Sequence, residues 1–411
     1  MKKHSLLLAA CVSLLLVPSA CHAACRTGLE VLRDRNFSIL EGKRVGLCTN
    51  PTGIDSRLKS TVDIFHEAEN VNLVALFAPE HGVRGDVYAG DNVETMIDPR
   101  TGVTVYSVFG KTRKPTPEML HNIDVLVYDI QDIGCRSYTF ISTMGMLMQA
   151  CAENDKELVV LDRPNPLGGE KIEGNLVEDG YISFVSQFKI PYLYAQTCGE
   201  LATMLNEEGF LGKRCRLTVI PMQGWHRSMT WQETGLPWVA ASPHIPSVET
   251  AVFYPVTGIF GELGYFNIGV GYTMPFQLIA APWINADTLA AALNALQLPG
   301  VGFRPITYKP FYSTHKGELC GGVQIYITDY NEAHLSDLQF LVVQELMRLY
   351  PDKDVFRLCN QERFSMFDKV CGTNYIRETF SVSYSWDEVR DYWYKDVESY
   401  RRLSSKYYLY D

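Results

Sequence analysis

The chain has 411 residues, a formal charge of −10 and 46% hydrophobic residues. The negative charge is spread along the chain without a basic stripe, which argues against nucleic acid as a partner. A chain of this length is expected to form two or three domains, each able to bury a core.

The N-terminus has the pattern of an export signal. A positively charged start precedes the apolar stretch Leu6–Val17, and Cys21-His22-Ala23 fits a small-x-small cleavage site. We therefore predict a signal peptide over residues 1–23 and a periplasmic or secreted protein. The alternative is a lipoprotein anchored through Cys21, because Ser19-Ala20-Cys21 resembles a lipoprotein acceptor. The apolar stretch is too short for a membrane span, and no transmembrane segment is predicted.

From about residue 44 to residue 222, apolar runs typical of buried strands alternate with helical patterns. The predicted strands are Arg44–Asn50, Val71–Phe77, Val103–Phe109, Val125–Ile130, Leu158–Leu161 and Cys215–Met222. The predicted helices are Ser60–Ala68, Thr116–Asn122, Tyr138–Glu153 and Thr197–Glu208. This alternation predicts an α/β fold, with a mostly parallel sheet covered on both faces. There is no GxGxxG after the first strand and no GxxxxGK[ST], so no nucleotide cofactor is indicated.

The second half of the chain begins with a stretch rich in Pro and Trp, Gly224–Pro255, which we interpret as a long ordered connection beside the cleft. The pattern then predicts two strands and three helices: Phe276–Trp283, Val323–Thr328, Ala286–Leu296, Leu335–Leu349 and Trp386–Tyr400. This part is predicted to be a smaller α+β unit packed on the first.

Polar residues follow four of the predicted strands. Ligands of open α/β sheets bind beyond the carboxyl ends of the strands, so these residues predict one site. Glu80 and His81 follow the second strand. A glutamate there is a candidate general acid, with an ion pair to Arg84 or Arg136 as the structural alternative. His81 is a candidate base, hydrogen-bond donor or metal ligand.

Further candidates come from the other strand ends. They are Asn50, the cluster Asp129, Gln131, Asp132, Arg136 and Tyr138, the loop residues Asp162, Arg163 and Asn165, and Glu262 in a Gly-rich run. Some of these residues are expected only to form turns and helix caps. Two carboxylates facing one cleft are the minimum requirement for glycoside hydrolysis. No metal-ligand spacing is present, and the scattered cysteines are read as small buried residues. The site is therefore predicted to work without metal or cofactor.

Long motifs along the chain resemble those of one bacterial family. They are Val45-Gly46-Leu47-Cys48-Thr49-Asn50-Pro51-Thr52-Gly53, Ala78-Pro79-Glu80-His81-Gly82, Arg113-Lys114-Pro115-Thr116-Pro117-Glu118-Met119-Leu120, Tyr128-Asp129-Ile130-Gln131-Asp132-Ile133-Gly134, Leu161-Asp162-Arg163-Pro164-Asn165-Pro166, Thr234-Gly235-Leu236-Pro237-Trp238 and Leu298-Pro299-Gly300-Val301. The chain is similar to the exo-β-N-acetylmuramidases of peptidoglycan turnover, formerly a family of unknown function.

The resemblance implies a Rossmann-like N-terminal domain, placed at residues 26–248, and a smaller C-terminal domain at residues 249–411, with the active site between them. It implies release of N-acetylmuramic acid from the non-reducing end of a peptidoglycan-derived glycan or muropeptide. Glu80 would be the general acid, and Asp132 or Glu262 the second carboxylate. The sugar and its lactyl carboxylate would be bound by residues among Asn50, Arg84, Gln131, Arg136 and Arg163.

Three positions depart from the family pattern, at Tyr194, His244 and Ile268. The family has histidine at the first and asparagine at the second. Near the third it carries a Glu and an Arg that this chain lacks. These departures keep a second hypothesis open, a non-catalytic protein that binds cell-wall or host glycans on the same fold. Two mechanistic routes also stay open, one with a protein carboxylate as partner of Glu80 and one assisted by the acetamido group of the substrate.

Overall fold

A computed structural model describes residues 25–85 and 95–411, so the predicted signal peptide and Cys21 lie outside the described residues. In these ranges the strands are β1 (Arg44–Thr49), β2 (Asn72–Ala78), β3 (Met96–Ile97), β4 (Thr104–Ser107), β5 (Val125–Asp129), β6 (Glu157–Leu161), β7 (Ile172–Glu173), β8 (Leu193–Tyr194), β9 (Arg216–Ile220), β10 (Leu278–Ala281), β11 (Val301–Tyr308) and β12 (Cys320–Ile327). The α-helices are α1 (Gly28–Asp34), α2 (Thr61–Glu67), α3 (Pro117–Leu120), α4 (Phe140–Glu153), α5 (Cys198–Glu207), α6 (Val248–Gly261), α7 (Ala286–Ala295), α8 (Asp337–Leu349), α9 (Val355–Leu358), α10 (Phe364–Cys371), α11 (Tyr375–Ser383), α12 (Trp386–Tyr394) and α13 (Val397–Ser404).

The centre of the molecule is a seven-stranded sheet in the order β3-β4-β2-β1-β5-β6-β9. Every neighbouring pair is parallel except β3 with β4. All six strands predicted for this part of the chain are present, and the α/β fold with a mostly parallel sheet is confirmed. The buried stretches of the central strands are almost wholly apolar because both faces of the sheet are covered, which leaves little room for polar alternation.

Two buried clusters cover the two faces of the sheet. Val127 and Val159 contribute to one cluster, which also contains residues of α1 and α2. Leu126 and Tyr128 contribute to the other, which extends without interruption into the C-terminal part of the chain. The carboxyl ends of the parallel strands lie at one edge of the sheet because these strands run in the same direction. The C-terminal part packs on the face that the second cluster covers.

The C-terminal part contains a three-stranded antiparallel sheet, β10-β12-β11, surrounded by helices. The predicted connection Gly224–Pro255 is wrong in its last residues, because α6 begins at Val248 and runs through Pro255. Proline removes a backbone donor inside a helix. Here the Gln339 side chain donates to the Pro255 carbonyl at 2.9 Å and accepts from the Ile259 amide at 2.9 Å. A residue from α8 thus supplies hydrogen bonds that stabilise the irregular helix.

The predicted helix Trp386–Tyr400 is two helices, α12 and α13. The Asp396 carboxylate lies at the break and accepts a hydrogen bond from the Leu176 amide at 3.1 Å. The eight-residue strand β11, which pairs with β12 along its whole length, was not predicted. The boundary predicted at residue 248 coincides with the start of α6 and stays a prediction.

All nine cysteines between Cys25 and Cys371 are buried, as predicted, and all nine are free thiols. In the described ranges, no helix combines the length and apolarity that crossing a membrane would require.

Candidate active site

The polar residues predicted at the strand ends do come together at one edge of the sheet. The Asp129 carboxylate accepts two hydrogen bonds from the Arg163 guanidinium, at 2.6 and 2.9 Å. The Gln131 amide nitrogen of the side chain donates to the Pro164 carbonyl at 2.7 Å. Asn50 accepts from the Thr52 amide at 3.0 Å, and the Thr52 hydroxyl accepts from the Gln131 backbone amide at 2.9 Å. The ends of β1, β5 and β6 are thus joined by a network of buried side chains.

Glu80 lies next to the N-terminus of α4. The Thr139 hydroxyl, at the N-cap position of this helix, donates to Glu80 Oε2 at 3.0 Å. Glu80 is partly buried and His81 is buried. His81 has a φ of 74°, in the left-handed region. Such a conformation costs on the order of 1–3 kcal/mol for a residue other than glycine, and it clusters at functional sites.

Asp132 is the second acidic residue at this edge of the sheet. Its Oδ2 accepts from the Gly134 amide at 2.7 Å and from the Tyr194 hydroxyl, while Oδ1 has no hydrogen-bond partner among the described residues. Burial raises the pKa of Asp132 to about 7. Burial also raises the pKa of Tyr138, and the charges of Asp132 and Glu80 both add to this rise. Tyr138 therefore lies close to both carboxylates.

The opposite wall comes from α6 and the loop between β11 and β12. Tyr254 of α6 packs edge-to-face on Tyr138, with ring centroids 5.7 Å apart, and its hydroxyl lies 3.2 Å from the Ser137 hydroxyl. Beyond Tyr254 is a cavity of about 190 Å³ whose lining includes Glu262 and Arg363. Burial raises the pKa of Glu262. Glu262 therefore lies on the C-terminal side of Tyr254, whereas Glu80 and Asp132 lie on the side of the sheet, near Tyr138.

The three arginines predicted to bind substrate have other partners. Arg84 bonds Asp98 and Asp63, each within 3.1 Å. Arg136 is fully buried and donates to the carbonyls of Asn175, Ile190 and Val370. Arg163 is held by Asp129, as described above. These contacts indicate a structural role for the three guanidinium groups. Glu80 therefore forms no ion pair with Arg84 or Arg136, which was the structural alternative to its role as general acid.

Asp162 and Asn165 also serve the scaffold. Asp162 accepts from the Thr197 hydroxyl at 2.7 Å and the Gly199 amide at 2.8 Å, at the start of α5, and burial raises its pKa to about 6. Tyr410, near the end of the chain, donates to the same carboxylate at 2.6 Å. Asn165 bonds the Gln196 carbonyl at 3.0 Å. The C-terminal segment therefore covers the end of β6.

The connection after β9 covers the neighbouring strand ends. Trp231 and Trp238 pack edge-to-face with centroids 4.9 Å apart, and both line a cavity of about 20 Å³ with Gln131 and Arg163. So small a space holds at most a water molecule. The ends of β5 and β6 are thus closed to a sugar on this side. Within residues 25–85 and 95–411, no group of three or more His, Cys, Asp or Glu is placed to hold a metal ion.

Sequence reasoning missed three residues of the cleft. Thr139 was recognised only as part of a helix start, although an N-cap threonine is a readable signal. Tyr254 was missed because α6 was read as a connection. Tyr194 was noted only as a departure, and its contact with Asp132 depends on the pairing of β7 with β8.

Comparison with known families decides the relationship. Residues 45–249 match the model of the N-terminal domain of the exo-beta-N-acetylmuramidase NamZ, and residues 252–410 match that of its C-terminal domain. The chain belongs to this NamZ family. The family predicted from the motifs is therefore confirmed.

Relatives of known sequence or structure extend the match over most of the chain. The chain is 43% identical to the "Peptidoglycan beta-N-acetylmuramidase NamZ" of Bacillus subtilis strain 168, over 94% of this chain and 91% of the relative. A crystal structure of a DUF1343 family protein from Bacteroides fragilis NCTC 9343 has a TM-score of 0.91 and 64% identity, covering 94% and 99% of the two chains. A second such protein from the same organism has a TM-score of 0.72 and 29% identity, with the same coverage.

The three departures from the family pattern lie in or beside the cleft. Tyr194 donates to Asp132, and Ile268 lines the cavity beside Glu262. His244 lies 3.1 Å, measured from Nε2, from the Tyr312 hydroxyl. The three positions expected to depart from the family pattern thus lie near the candidate carboxylates or at the rim beside them.

The raised pKa of Asp132 predicts a pH-dependent stability. The unfolded chain releases this proton near pH 4, whereas the folded protein keeps it until about pH 7. Between these values the folded state binds the extra proton, so the free energy of unfolding falls as pH rises, by at most about 1.4 kcal/mol per pH unit. Asp132→Asn cannot titrate and should flatten this slope.

Urea unfolding of the wild type and of Asp132→Asn at several pH values between 4 and 7 measures the effect. Asp155→Asn is the matched control, because the Asp155 side chain is 90% exposed. Equal pH slopes for the wild type and Asp132→Asn would contradict the prediction.

Proposed function

We propose that this chain is an exported glycosidase that releases N-acetylmuramic acid from the non-reducing ends of peptidoglycan fragments. Membership of the NamZ family supports the reaction class, and the name of the Bacillus subtilis relative supports peptidoglycan as the substrate. The observation that carries the proposal is the position of Glu80, held by Thr139 at the sheet edge where Asp132 also lies, with Glu262 in the cavity beyond Tyr254.

Glu80 is assigned the role of general acid. It would donate a proton to the glycosidic oxygen as the bond from that oxygen to C1 of the terminal sugar breaks, which requires an approach of about 2.6–3.2 Å. Water then supplies the hydroxyl group at C1, directly or after attack by the acetamido group or a carboxylate. The hydrogen bond from Thr139 restricts the rotation of the carboxyl group and so keeps it oriented for this transfer. Tyr138 forms the adjacent wall, where its ring excludes water from the reacting bond.

Two acidic residues are available for the second role. Glu262 lines the cavity and can reach a ligand there directly. Asp132 is 5% exposed, and its orphan Oδ1 needs a hydrogen-bond partner that a sugar hydroxyl or acetamido group can supply. We assign Asp132 the role of orienting the sugar, including its acetamido group in a substrate-assisted route. Glu262 is assigned the role of stabilising the positive charge that develops on the sugar ring.

The size of the cavity supports action on a terminal sugar. Its volume of about 190 Å³ is smaller than the roughly 300–1,000 Å³ of pockets for larger ligands. The Trp-rich connection and the C-terminal segment cover the strand ends beyond it. A cavity below this range favours a short ligand, such as one terminal sugar, over a long glycan.

Product analysis tests this proposal. Peptidoglycan fragments with N-acetylmuramic acid at the non-reducing end and a labelled reducing end should lose one sugar, seen as free N-acetylmuramic acid by mass spectrometry. Fragments that end in N-acetylglucosamine are the control and should stay intact. Internal cleavage, or cleavage of the fragments that end in N-acetylglucosamine, would refute terminal release. Tight binding without turnover would favour the glycan-binding alternative.

Export is the second part of the proposal, and the signal pattern in residues 1–23 supports it. Expression of the full chain followed by mass spectrometry of the exported protein should give an N-terminus at Ala24. A lipid-modified N-terminus at Cys21 would instead establish the lipoprotein alternative.

A further inference from the structure

The loop between β11 and β12 is firmly attached to the Gly-rich segment that precedes β10. The Phe311 amide donates to the Gly271 carbonyl at 2.7 Å, and the Asn267 side chain donates to the Thr314 carbonyl at 2.8 Å. Ser313 and His315 have φ values of 68° and 60°. Two strained residues persist only where the surrounding contacts fix them. The loop therefore holds its side chains in set positions.

This rigid loop presents two large aromatic side chains to solvent. Phe311 is 67% exposed and Tyr312 is 50% exposed. Phe311 stacks on Tyr272, with centroids 5.9 Å apart and planes at 29°. Tyr312 stacks on His244, with centroids 6.1 Å apart and planes at 26°, and shares a hydrogen bond with it. Each ring is thus held in position by the ring stacked on it, while part of its surface remains exposed to solvent.

The two rings lie at the rim of the cleft. Ser313 and Thr314, the next residues of the loop, line the cavity that contains Glu262. On the other side, burial lowers the pKa of His244 and the charge of His81 lowers it further. His244 therefore lies close to His81, the neighbour of Glu80 in sequence. Tyr312 is consequently placed between the open solvent and the two walls that carry the candidate carboxylates.

We infer that Tyr312 and Phe311 form a sugar-stacking subsite, with His244 as the positioning residue of Tyr312. The subsite would bind the pyranose that follows the terminal sugar, so the inference rests on the proposed function. A pyranose has an apolar face of C–H groups that packs on an aromatic plane, while its hydroxyls stay hydrated. A preoriented ring makes this contact with little loss of conformational entropy.

The stacking of His244 on Tyr312 can be removed or kept by the choice of substitution. An asparagine side chain at this position cannot offer a ring plane for stacking on Tyr312. His244→Asn should therefore loosen Tyr312 and raise KM for longer fragments without changing kcat. His244→Phe retains a ring plane and should return KM most of the way from the His244→Asn value to the wild-type value. If the loss in His244→Asn were a general structural defect, His244→Phe would not reverse it.

Two kinetic substrates test the subsite. One is methyl β-N-acetylmuramide, which has no second sugar, and the other is a trisaccharide with terminal N-acetylmuramic acid. Tyr312→Ala should lower kcat/KM for the trisaccharide roughly 3- to 10-fold, mainly through KM, and leave the methyl glycoside within about twofold. Phe311→Ala should act in the same direction. Tyr375→Ala is the matched control, because Tyr375 is also exposed, at 41%, and stacks on Tyr392 instead.

A binding measurement separates this inference from the proposed function. Calorimetric titration of the trisaccharide into Glu80→Gln protein, with and without Tyr312→Ala, does not depend on turnover. Weaker binding in the double variant supports the subsite even if no glycosidase activity is found. Equal binding of the two proteins, or an equal kinetic loss on both substrates, would overturn the subsite while leaving the proposed function intact.

Discussion

Replacing Glu80 by glutamine is expected to lower the rate of sugar release by about 100- to 10,000-fold, the usual contribution of a general acid. Glutamine has nearly the same shape, and its amide oxygen can accept the hydrogen bond that Thr139 donates to Glu80. The variant therefore loses the transferable proton while the cleft keeps its form. Steady-state release of N-acetylmuramic acid from a defined fragment measures the effect, with thermal unfolding as the check on the fold.

Glu398→Gln is the control for this experiment, because the Glu398 side chain is 75% exposed on α13. It makes the same Glu-to-Gln change far from any proposed role and should leave the rate unchanged. Activity of Glu80→Gln similar to that of the wild type would show that another group is the acid, and Glu262 would then be the next candidate.

The second large effect concerns the stability of the sheet edge. Arg163→Met should lower the free energy of unfolding by roughly 3–5 kcal/mol, because it leaves the Asp129 carboxylate buried without its cationic partner. Asp129 is fully buried and Arg163 is 5% exposed. The double variant Asp129→Asn, Arg163→Met removes both charges and should recover part of the loss. Chemical unfolding monitored by circular dichroism provides the comparison.

The chain contains a matched exposed pair as control. Arg44 bonds Asp124 with a similar two-point geometry, at 3.1 and 2.8 Å, but the two side chains are 44% and 42% exposed. Solvent screens such a pair, so Arg44→Met should cost no more than about 1 kcal/mol. An equal loss of stability in the two single variants would contradict the structural role assigned to Asp129 and Arg163.

The central sheet could be predicted because its signal is local. Strands such as β1 and β5 lie in the middle of the sheet, so their residues are apolar in an unbroken run. The start of α5 was equally readable, since Thr197 and Glu200 form a capping box within four residues. Errors arose where distant residues supply the hydrogen bonds, as Gln339 does for α6.

The local sequence determined which residues gather at the carboxyl edge of the sheet, because each follows an apolar strand and parallel strands end on the same side. Only the tertiary structure decided which of them face a cleft. The Trp-rich connection and Tyr410 cover the ends of β5 and β6. Asp129 and Asp162 are therefore buried and hold neighbouring segments together through hydrogen bonds. Glu80 stayed accessible beside α4. Contacts between residues far apart in sequence set this difference, and no pattern within a few residues carries that information.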